Sequence, residues 1–379
     1  MQRTSWALLH TKWGSQYYQS TIYWSDMALW RIKNVALRGV TGTVPNHPVK
    51  TADFSFFTRE EAEMFDATVG IKNRYIASDD ICTSDLCCDA AERLLAGLGW
   101  EKDTVDVLLF VSVTGDYKTP PTSAILQDKM GFPSTTFVLD VPMGCCGCMY
   151  GINVAGNLLS AGTVKRALLL VGDTAMRMGS PIDKSRVPLF GDSGTALALE
   201  YDSTAEDIII DFNTLGSGYQ ALMTPHGGYR HPISREESFE YEDFGNGIVR
   251  APKDALINGM DVFSFAITKP PISIKKLMEQ LGLDKDKDVD YFLIHQANKL
   301  IVDRIVKKLK LDETKVPYNL QEFGNLGGAS IPMLMVSEMA DELSTRPLTL
   351  LCSSFGLGLT WGTMLIRTRI VRVLPVQYL

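Results

Sequence analysis

The chain has 379 residues, of which 45% are hydrophobic and 21% charged, and its formal net charge at pH 7 is −7. This balance is typical of a globular protein with a sizeable core, made of one large domain or two ordinary ones. The acidic charge argues against a general nucleic-acid binder, and no apolar run approaches the about 18 residues that a membrane helix needs.

The first 26 residues differ in character from the rest of the chain. They contain Trp6, Trp13 and Trp24 and lack the continuous apolar stretch of a secretory signal. We interpret residues 1–26 as an extension outside the core, from a mis-assigned start or a short added segment, with an ordered N-terminal arm as the alternative. Because no export signal is present, we expect a cytoplasmic protein whose seven cysteines are free thiols.

Short β-rich runs alternate with helical patterns along the chain. A first strand is predicted from Met27 onward, in ALWRIKNVALRGV. The later predicted strands cover 105–113, 135–141, 166–173, 195–202, 207–213, 289–295, 348–355 and 361–371. Helical patterns lie at 86–99 and 297–311. Continuous apolar runs of this length are typical of strands buried on both faces, and their alternation with helices indicates α/β layering.

A weak internal repeat relates the two parts of the chain. VDVLLFVS, which begins at residue 105, resembles VDYFLIHQ, which begins at 289, and ALLLVGD at 167 resembles TLLCSSF at 349. Two matches at nearly the same separation indicate a duplicated α/β unit, with chance likeness between apolar strands as the alternative. We expect an N-terminal half over 27–203 and a C-terminal half over 204–379.

Three cysteines lie within four positions of the stretch DVPMGCCGCMYG, residues 140–151. Cys145, Cys146 and Cys148 lack the paired spacing and the second Cys/His pair of a structural zinc site. Cys145 and Cys148 have the C-x-x-C spacing of a redox pair, although they lie deep in the chain. The remaining alternatives are three buried hydrophobic thiols or one nucleophile with two neighbours.

The position of the cluster favours a nucleophile. The strand 135–141 is followed by Pro142 and Gly144, which permit a sharp turn, and then by a helical pattern rich in small residues. At a helix N-terminus, unpaired N–H groups and the helix dipole favour a thiolate over a thiol. Cys145 lies at the turn itself, and we expect Cys146 and Cys148 to begin the helix and point into the packing.

Two further residues are candidates for the chemistry. His295 ends the strand 289–295, where α/β sheets place functional residues. Asn325 lies in the glycine-rich stretch EFGNLGGASIP. Taken alone, each is more simply a satisfied polar group or a turn residue.

Taken together, these stretches resemble the β-ketoacyl-acyl-carrier-protein synthase III family of the thiolase superfamily. The matching stretches run in order from Thr68 to Gly362 and read TVGIKNRYIA, DVPMGCCGCMYG, KRALLLVGD, LFGDSGTALAL, IHQAN, FGNLGGASIP and SFGLGLTWG. The resemblance implies an α/β fold of the duplicated thiolase-like kind, a five-layer αβαβα sandwich, and a homodimer.

The resemblance also implies a chemistry, with Cys145, His295 and Asn325 as catalytic residues. Cys145 would hold an acyl group delivered by acyl-CoA or an acyl carrier protein. Malonyl-acyl-carrier protein would then lose carbon dioxide, and His295 and Asn325 would stabilise the resulting oxyanion. Candidate donors to the second oxyanion are the backbone N–H groups of Cys145, Gly356, Leu357 and Gly358. No metal or redox cofactor is required.

The sequence departs from the family pattern where the acyl donor is recognised. Family members that use acetyl-CoA usually have Trp, Arg, Arg and Arg at the places of Met64, Thr68, Lys184 and Leu300. Thr119 replaces the phenylalanine that usually limits the acyl pocket and is a candidate gate, with Tyr117 as an alternative filler of the same space. The sequence therefore indicates the reaction class better than the acyl donor.

The helical pattern after His295 carries a basic stripe. Its cationic residues are Lys299, Arg304, Lys307 and Lys308. Because carrier proteins are acidic, we interpret this stripe as a docking surface for acyl carrier protein, with a solvated helix face as the alternative.

Three functions remain open on the sequence. The first is decarboxylating Claisen condensation in fatty-acid or specialised acyl biosynthesis. The second is transfer of the acyl group to an oxygen or nitrogen acceptor, which Asn325 disfavours because such relatives often lose this residue. The third is a non-catalytic partner subunit, which the presence of Cys145 disfavours.

Overall fold

The computed structural model describes residues 28–233 and 236–379. The extension predicted over 1–26 lies outside these ranges. Within them, no helix is both long and apolar enough to cross a membrane.

Strands and helices alternate along most of the described chain. The strands are β1 (Leu29–Ile32), β2 (Val35–Val44), β3 (Pro48–Lys50), β4 (Asn73–Tyr75), β5 (Val107–Val111), β6 (Phe137–Val141), β7 (Arg166–Asp173), β8 (Ser193–Tyr201), β9 (Ile208–Thr214), β10 (Leu222–Met223), β11 (Glu242–Asp243), β12 (Val249–Arg250), β13 (Leu256–Ile257), β14 (Tyr291–Ile294), β15 (Thr349–Gly356), β16 (Thr360–Arg367), β17 (Arg372–Val373) and β18 (Gln377–Tyr378). The α-helices are α1 (Arg59–Val69), α2 (Thr83–Leu98), α3 (Thr122–Lys129), α4 (Gly147–Ser160), α5 (Gly259–Ala266), α6 (Lys269–Leu281), α7 (Lys299–Leu309), α8 (Leu320–Phe323), α9 (Ser330–Ser337) and α10 (Ala340–Thr345).

Two large sheets share one topology. The first has the order β17-β2-β8-β7-β5-β6, with β18 also paired to β2, and the second has the order β1-β9-β16-β15-β14. In β2-β8-β7-β5 the successive pairs are antiparallel, antiparallel and parallel. The same sequence of directions occurs in β9-β16-β15-β14. This correspondence confirms the predicted duplication of an α/β unit, and the two matched sequence pairs are β5 with β14 and β7 with β15.

The helices complete five layers around the two sheets. Helices α4 and α9 lie between the sheets, where α4 contacts β5, β7 and β1 and α9 contacts β2, β8 and β14. Helices α2 and α3 cover the outer face of the first sheet, and α5 and α6 cover that of the second. The predicted five-layer αβαβα sandwich is therefore confirmed.

The continuous apolar runs are explained by burial of both strand faces. In β5, the side chains of Leu109 and Val111 belong to the core between the sheets, whereas those of Leu108 and Phe110 belong to the core beneath α2. Because successive side chains point to opposite faces, a strand covered on both sides needs apolar residues at every position.

The first described strand and the last two each join the sheet formed mainly by the other half of the chain, which the sequence did not indicate. The first predicted strand is divided at Asn34, whose φ of 60° places it in the left-handed region that asparagine tolerates better than most residues. As a result β1 joins the second sheet, while β2 joins the first. The predicted strand 361–371 ends at Arg367, and β17 and β18 return to β2. The predicted boundary at 203/204 falls between β8 and β9 and stays a prediction.

Candidate active site

Cys145 lies in a tight turn between β6 and α4. The turn is closed by a hydrogen bond of 2.6 Å from the Gly147 N–H to the Gly144 carbonyl. Cys145 remains partly exposed, whereas Cys146 and Cys148 are each only 1% exposed. The Cys146 thiol lies 3.6 Å from the Thr360 carbonyl oxygen, and Cys148 packs in the core between the sheets. The predicted burial of these two neighbours is confirmed, and all seven cysteines are free thiols.

The electrostatic environment of Cys145 differs from the one expected at a helix N-terminus. Burial raises the pKa of the thiol to about 11, which outweighs the N–H of Leu357 that donates to Sγ and lowers it. The charge of buried Asp173 also raises it. Burial therefore opposes the effect expected from the helix end, because removing the sulfur from water disfavours its charged form.

The backbone at the end of β15 lies so close to Cys145 that no side chain fits at position 356. A Cβ on Gly356 would lie 2.6 Å from the Cys145 Sγ, and the φ of Gly356 is 153°. Both facts require glycine here. The next residue, Leu357, packs against Gly144 and donates its N–H to the sulfur. Of the predicted oxyanion segment, Gly358 lies one residue further along, against Thr360.

His295 follows β14 and is 1% exposed. Its backbone N–H donates to the Ser353 carbonyl at 2.8 Å. The imidazole ring meets the ring of Phe355 edge-on, with centroids 5.3 Å apart. Burial lowers the pKa of His295 to about 4, so the imidazole is neutral at pH 7. Its Nδ1 has no hydrogen-bond partner within the described residues.

The residues after His295 explain why the IHQAN stretch has this composition. The Gln296 side-chain amide donates to the Ile294 carbonyl at 2.7 Å. Asn298 is the N-cap of α7, and its Oδ1 accepts the N–H of Ile301 at 2.8 Å. An asparagine cap satisfies a free N–H of the first turn. The chain can therefore leave the strand, present His295 and begin a helix within four residues.

Asn325 lies in a turn that is fixed on both sides. Its N–H donates to the Leu189 carbonyl, and its own carbonyl accepts the N–H of Gly191. The side-chain Oδ1 accepts the N–H of Gly327 at 3.0 Å. Because the oxygen is occupied, the group that Asn325 can offer a ligand is its NH₂ donor.

The three segments converge on one place. The turn after Asn325 reaches the Cys145 turn, since a Cβ on Gly328 would lie 2.8 Å from the Gly144 carbonyl oxygen. Gly356 touches Cys145, and the preceding residue of β15, Phe355, touches His295. The backbone segments that carry Cys145, His295 and Asn325 are therefore neighbours in the fold.

Asp173, the last residue of β7, was missed by the sequence analysis. It is 4% exposed, and burial raises the pKa of its carboxyl to about 6, against the hydrogen bonds that lower it. The only sequence signal was a charged residue at the end of a strand apolar on both faces, since carboxylates are rarely buried without partners.

The positions expected to recognise the acyl donor lie on the surface or are engaged within the chain. Met64 is 69% exposed and Leu300 is 39% exposed. Lys184 forms an ion pair of 2.8 Å with Glu61, and its ammonium lies over the ring of Phe57. Met64 and Leu300 are therefore exposed, whereas Lys184 carries a positive charge that is paired within the chain.

The gate and the docking helix also lie at the surface. Thr119 is exposed in the loop between β5 and α3. On α7, Lys299 is paired with Asp303, and Lys308 donates to the Ile267 carbonyl. Arg304 and Lys307 are exposed.

A surface groove of about 810 Å³ borders α7 on the side of α1. The charged residues that line it are Lys72, Lys299, Lys307, Lys310, Asp66, Asp303 and Glu313. Two residues of the predicted basic stripe, Lys299 and Lys308, thus have partners within the chain, and Lys299 and Lys307 both line this groove.

Comparison with known proteins shows which family has this arrangement. The family model described as 3-oxoacyl-[acyl-carrier-protein (ACP)] synthase III matches residues 139–218, and the model for its C-terminal part matches residues 278–368. A β-ketoacyl-[acyl-carrier-protein] synthase III of Streptococcus pneumoniae is 30% identical over 327 residues, covering 85% of this chain and 96% of that protein.

Solved structures show the same similarity. The 3-oxoacyl-(acyl-carrier protein) synthase of Burkholderia xenovorans has a TM-score of 0.86 and 31% identity, covering 93% of this chain and 99% of that one. The synthase III of Pseudomonas aeruginosa has a TM-score of 0.76 at 24% identity, covering 90% and 100%. The fold is that of the thiolase-like condensing enzymes. The chain belongs to the β-ketoacyl-acyl-carrier-protein synthase III family.

The raised pKa of Cys145 predicts how its alkylation depends on pH. Because the thiolate is the reactive form, the rate of Cys145 modification by iodoacetamide should still be rising at pH 9, without a plateau. The measurement is peptide mapping by mass spectrometry over pH 6–10, with glutathione as the reference thiol. A plateau below pH 8 would show that the helix end dominates after all.

Proposed function

We propose that this protein catalyses decarboxylating Claisen condensation of an acyl primer, held on Cys145, with malonyl-acyl-carrier protein to give a 3-oxoacyl-carrier protein. The observation that supports this most directly is the convergence of the Cys145, His295 and Asn325 segments in a member of this family. Neither step of the proposed reaction needs a metal or a redox cofactor.

In the first step the Cys145 sulfur attacks the thioester carbonyl of the primer. The S–C bond to the carrier breaks, and the proton that Cys145 loses is taken up by the departing thiol, so the step is balanced. The resting thiol is neutral, since the pKa is about 11. The N–H of Leu357 already donates to Sγ and can stabilise the sulfur as negative charge develops.

In the second step the malonyl group loses carbon dioxide and leaves an enolate on its thioester. The NH₂ group of Asn325 and a ring N–H of neutral His295 are the donors for that oxygen. Because the pKa of His295 is about 4, the imidazole donates a hydrogen bond at pH 7 without being charged. The enolate carbon then attacks the acyl carbonyl on Cys145, the C–S bond breaks, and the departing thiolate takes a proton from water to restore the neutral thiol.

We expect His295→Ala and Asn325→Ala to retain acylation and lose condensation. Each substitution removes one donor to the enolate oxygen, and such a loss typically lowers the rate about 10²–10³-fold. Acyl-enzyme formation is measured by intact-protein mass spectrometry, and condensation by single turnover of the preloaded enzyme with malonyl-carrier protein.

Two controls accompany this experiment. Cys145→Ala should abolish both steps. Asn319→Ala removes another buried asparagine, whose amide donates to Ser337, and should alter stability without separating the two rates. Near-normal condensation by His295→Ala and Asn325→Ala would contradict the proposal.

We also propose that the protein is a homodimer joined through β6. Among residues 28–233 and 236–379, this strand is the outer strand of the first sheet and pairs only with β5. Its Phe137 and Leu139 are 48% and 37% exposed, and Tyr117 in the adjoining loop is 67% exposed. An open strand edge with apolar side chains is suited to pairing with another strand.

Leu139→Lys should convert the dimer to a monomer. Burying a charge on each side of the two-fold interface opposes association. Light scattering coupled to size-exclusion chromatography measures the mass, with Ile272→Lys, at a position 39% exposed on α6, as the matched control. A dimer that survives Leu139→Lys would exclude this interface.

Finally, we propose that acyl carrier protein docks beside α7, through Arg304, Lys307 and the lysines of the adjoining groove. Acidic carrier proteins are attracted to such a surface, and the attraction weakens with salt. Of the four cationic residues in the predicted stripe, we assign the docking role to Arg304 and Lys307. Lys299 is paired with Asp303, and Lys308 donates to the Ile267 carbonyl.

The double change Arg304→Glu and Lys307→Glu should lower kcat/KM for malonyl-carrier protein steeply and in a salt-dependent manner. Acylation from an acyl-CoA, which does not use the carrier, should change little. The matched control reverses Lys33 and Lys50, which are exposed elsewhere. Equal losses with both substrates would indicate a damaged helix, and no loss would place the carrier elsewhere.

A further inference from the structure

Asp173 is a buried carboxylate to which the proposed reaction assigns no role. It ends β7, in the middle of the first sheet, and is 4% exposed. Burying a carboxylate is unfavourable unless donors surround it. The arrangement of those donors therefore indicates what the residue does.

One oxygen of Asp173 holds the loop after β5. Its Oδ1 accepts the N–H of Val113 at 2.9 Å, the hydroxyl of Ser112 at 3.0 Å and the hydroxyl of Thr114 at 3.3 Å. The hydroxyl of Thr114 also accepts the N–H of Thr174 at 3.0 Å. This side of the carboxylate is thus fully occupied in joining β5 to β7.

The other oxygen of Asp173 faces the turn that follows Asn325. The N–H of Gly328 donates to the carboxylate. Oδ2 lies only 2.9 Å from the position that a Cβ on Gly327 would occupy. The 327–328 turn therefore packs directly against Asp173. The absence of a side chain at Gly327 permits this close contact with the carboxylate.

The 327–328 turn also fixes the orientation of the Asn325 side chain. The N–H of Gly327 donates to Asn325 Oδ1, so the orientation of the amide follows the position of Gly327. Gly328 also packs against the Gly144 carbonyl, beside Cys145. A shift of the turn away from Asp173 would move the NH₂ donor of Asn325 relative to the nucleophile.

We propose that Asp173 is a positioning residue for condensation, which fixes the 327–328 turn and, through it, the amide donor of Asn325. This proposal rests on the role of Asn325 in the proposed function. Asp173 acts through its hydrogen bonds and not through its field, because a negative charge near a site where an oxyanion develops opposes that charge.

The test is Asp173→Asn, which keeps the size and shape of the side chain. Its Oδ1 can still accept from the loop after β5, while an NH₂ group replaces Oδ2 against the 327–328 turn, so the turn loses a charged acceptor and is displaced. We expect condensation by the preloaded enzyme to fall on the order of 10²-fold, as for a small displacement of a catalytic group. Acylation should not fall, because Gly356 and Leu357 still contact Cys145 and loss of the Asp173 charge removes one cause of the raised thiol pKa.

A double substitution then separates this proposal from a general structural role. If Asp173 acts through Asn325, adding Asp173→Asn to Asn325→Ala should lower condensation by less than about threefold more, because coupled residues are non-additive. A fully additive loss, or equal losses of acylation and condensation in the single variant, would overturn the proposal. Normal condensation by Asn325→Ala alone would instead refute the role of Asn325, which is a failure of the proposed function.

Two further variants guard the result. Asp211→Asn changes a carboxylate 1% exposed in the second sheet and should not separate the two rates. If Asp173→Asn does not fold, Gly327→Ala disturbs the same contact from the other side, and it should give the same selective loss of condensation. Selective loss in Asp211→Asn, or none in Gly327→Ala, would overturn the proposal.

Discussion

The contact between Gly356 and Cys145 is the constraint on which the rest of the site depends. It joins the end of β15, in the second sheet, to the turn that links β6 of the first sheet to α4. Any side chain at 356 would lie within 2.6 Å of the sulfur, so a larger residue would push the two halves apart. The same strand end carries Phe355, which packs on His295. One backbone approach therefore sets the nucleophile, its N–H donor at Leu357 and the imidazole together.

Burial gives this site an unusual resting charge. The thiol has its pKa raised to about 11 and the imidazole has its pKa lowered to about 4, so neither is ionised at pH 7. In cysteine enzymes whose nucleophile is paired with a protonated histidine, the thiol pKa is lowered instead. Here the thiol and the imidazole are both uncharged at rest, and the charge of buried Asp173 acts on the thiol. A neutral histidine is then an advantage, because it donates a hydrogen bond without binding a free anion tightly.

The sequence was informative wherever the determining pattern was local. β7 was predicted at its observed bounds, since a strand covered on both faces is apolar throughout. The turn position of Cys145 and the burial of Cys146 and Cys148 followed from one short stretch. Three features depended on distant parts of the chain and were not foreseen: the turn at Asn34 that sends β1 to the other sheet, the desolvation of Cys145 by β15, and the seat that Asp173 provides for the Asn325 turn.

The duplicated topology supplies a reason for the last of these. Strands β7 and β15 occupy corresponding places in the two sheets, and helices α4 and α9 are the two that lie between them. The last residue of β15, Gly356, meets the turn that precedes α4. The last residue of β7, Asp173, meets the turn that precedes α9. Each strand thus contacts the segment before a helix that carries a proposed catalytic residue, Cys145 in one case and Asn325 in the other. The residue that ends β15 is a glycine, because the backbone there lies against Cys145. The residue that ends β7 is an aspartate, because it accepts hydrogen bonds that hold a turn.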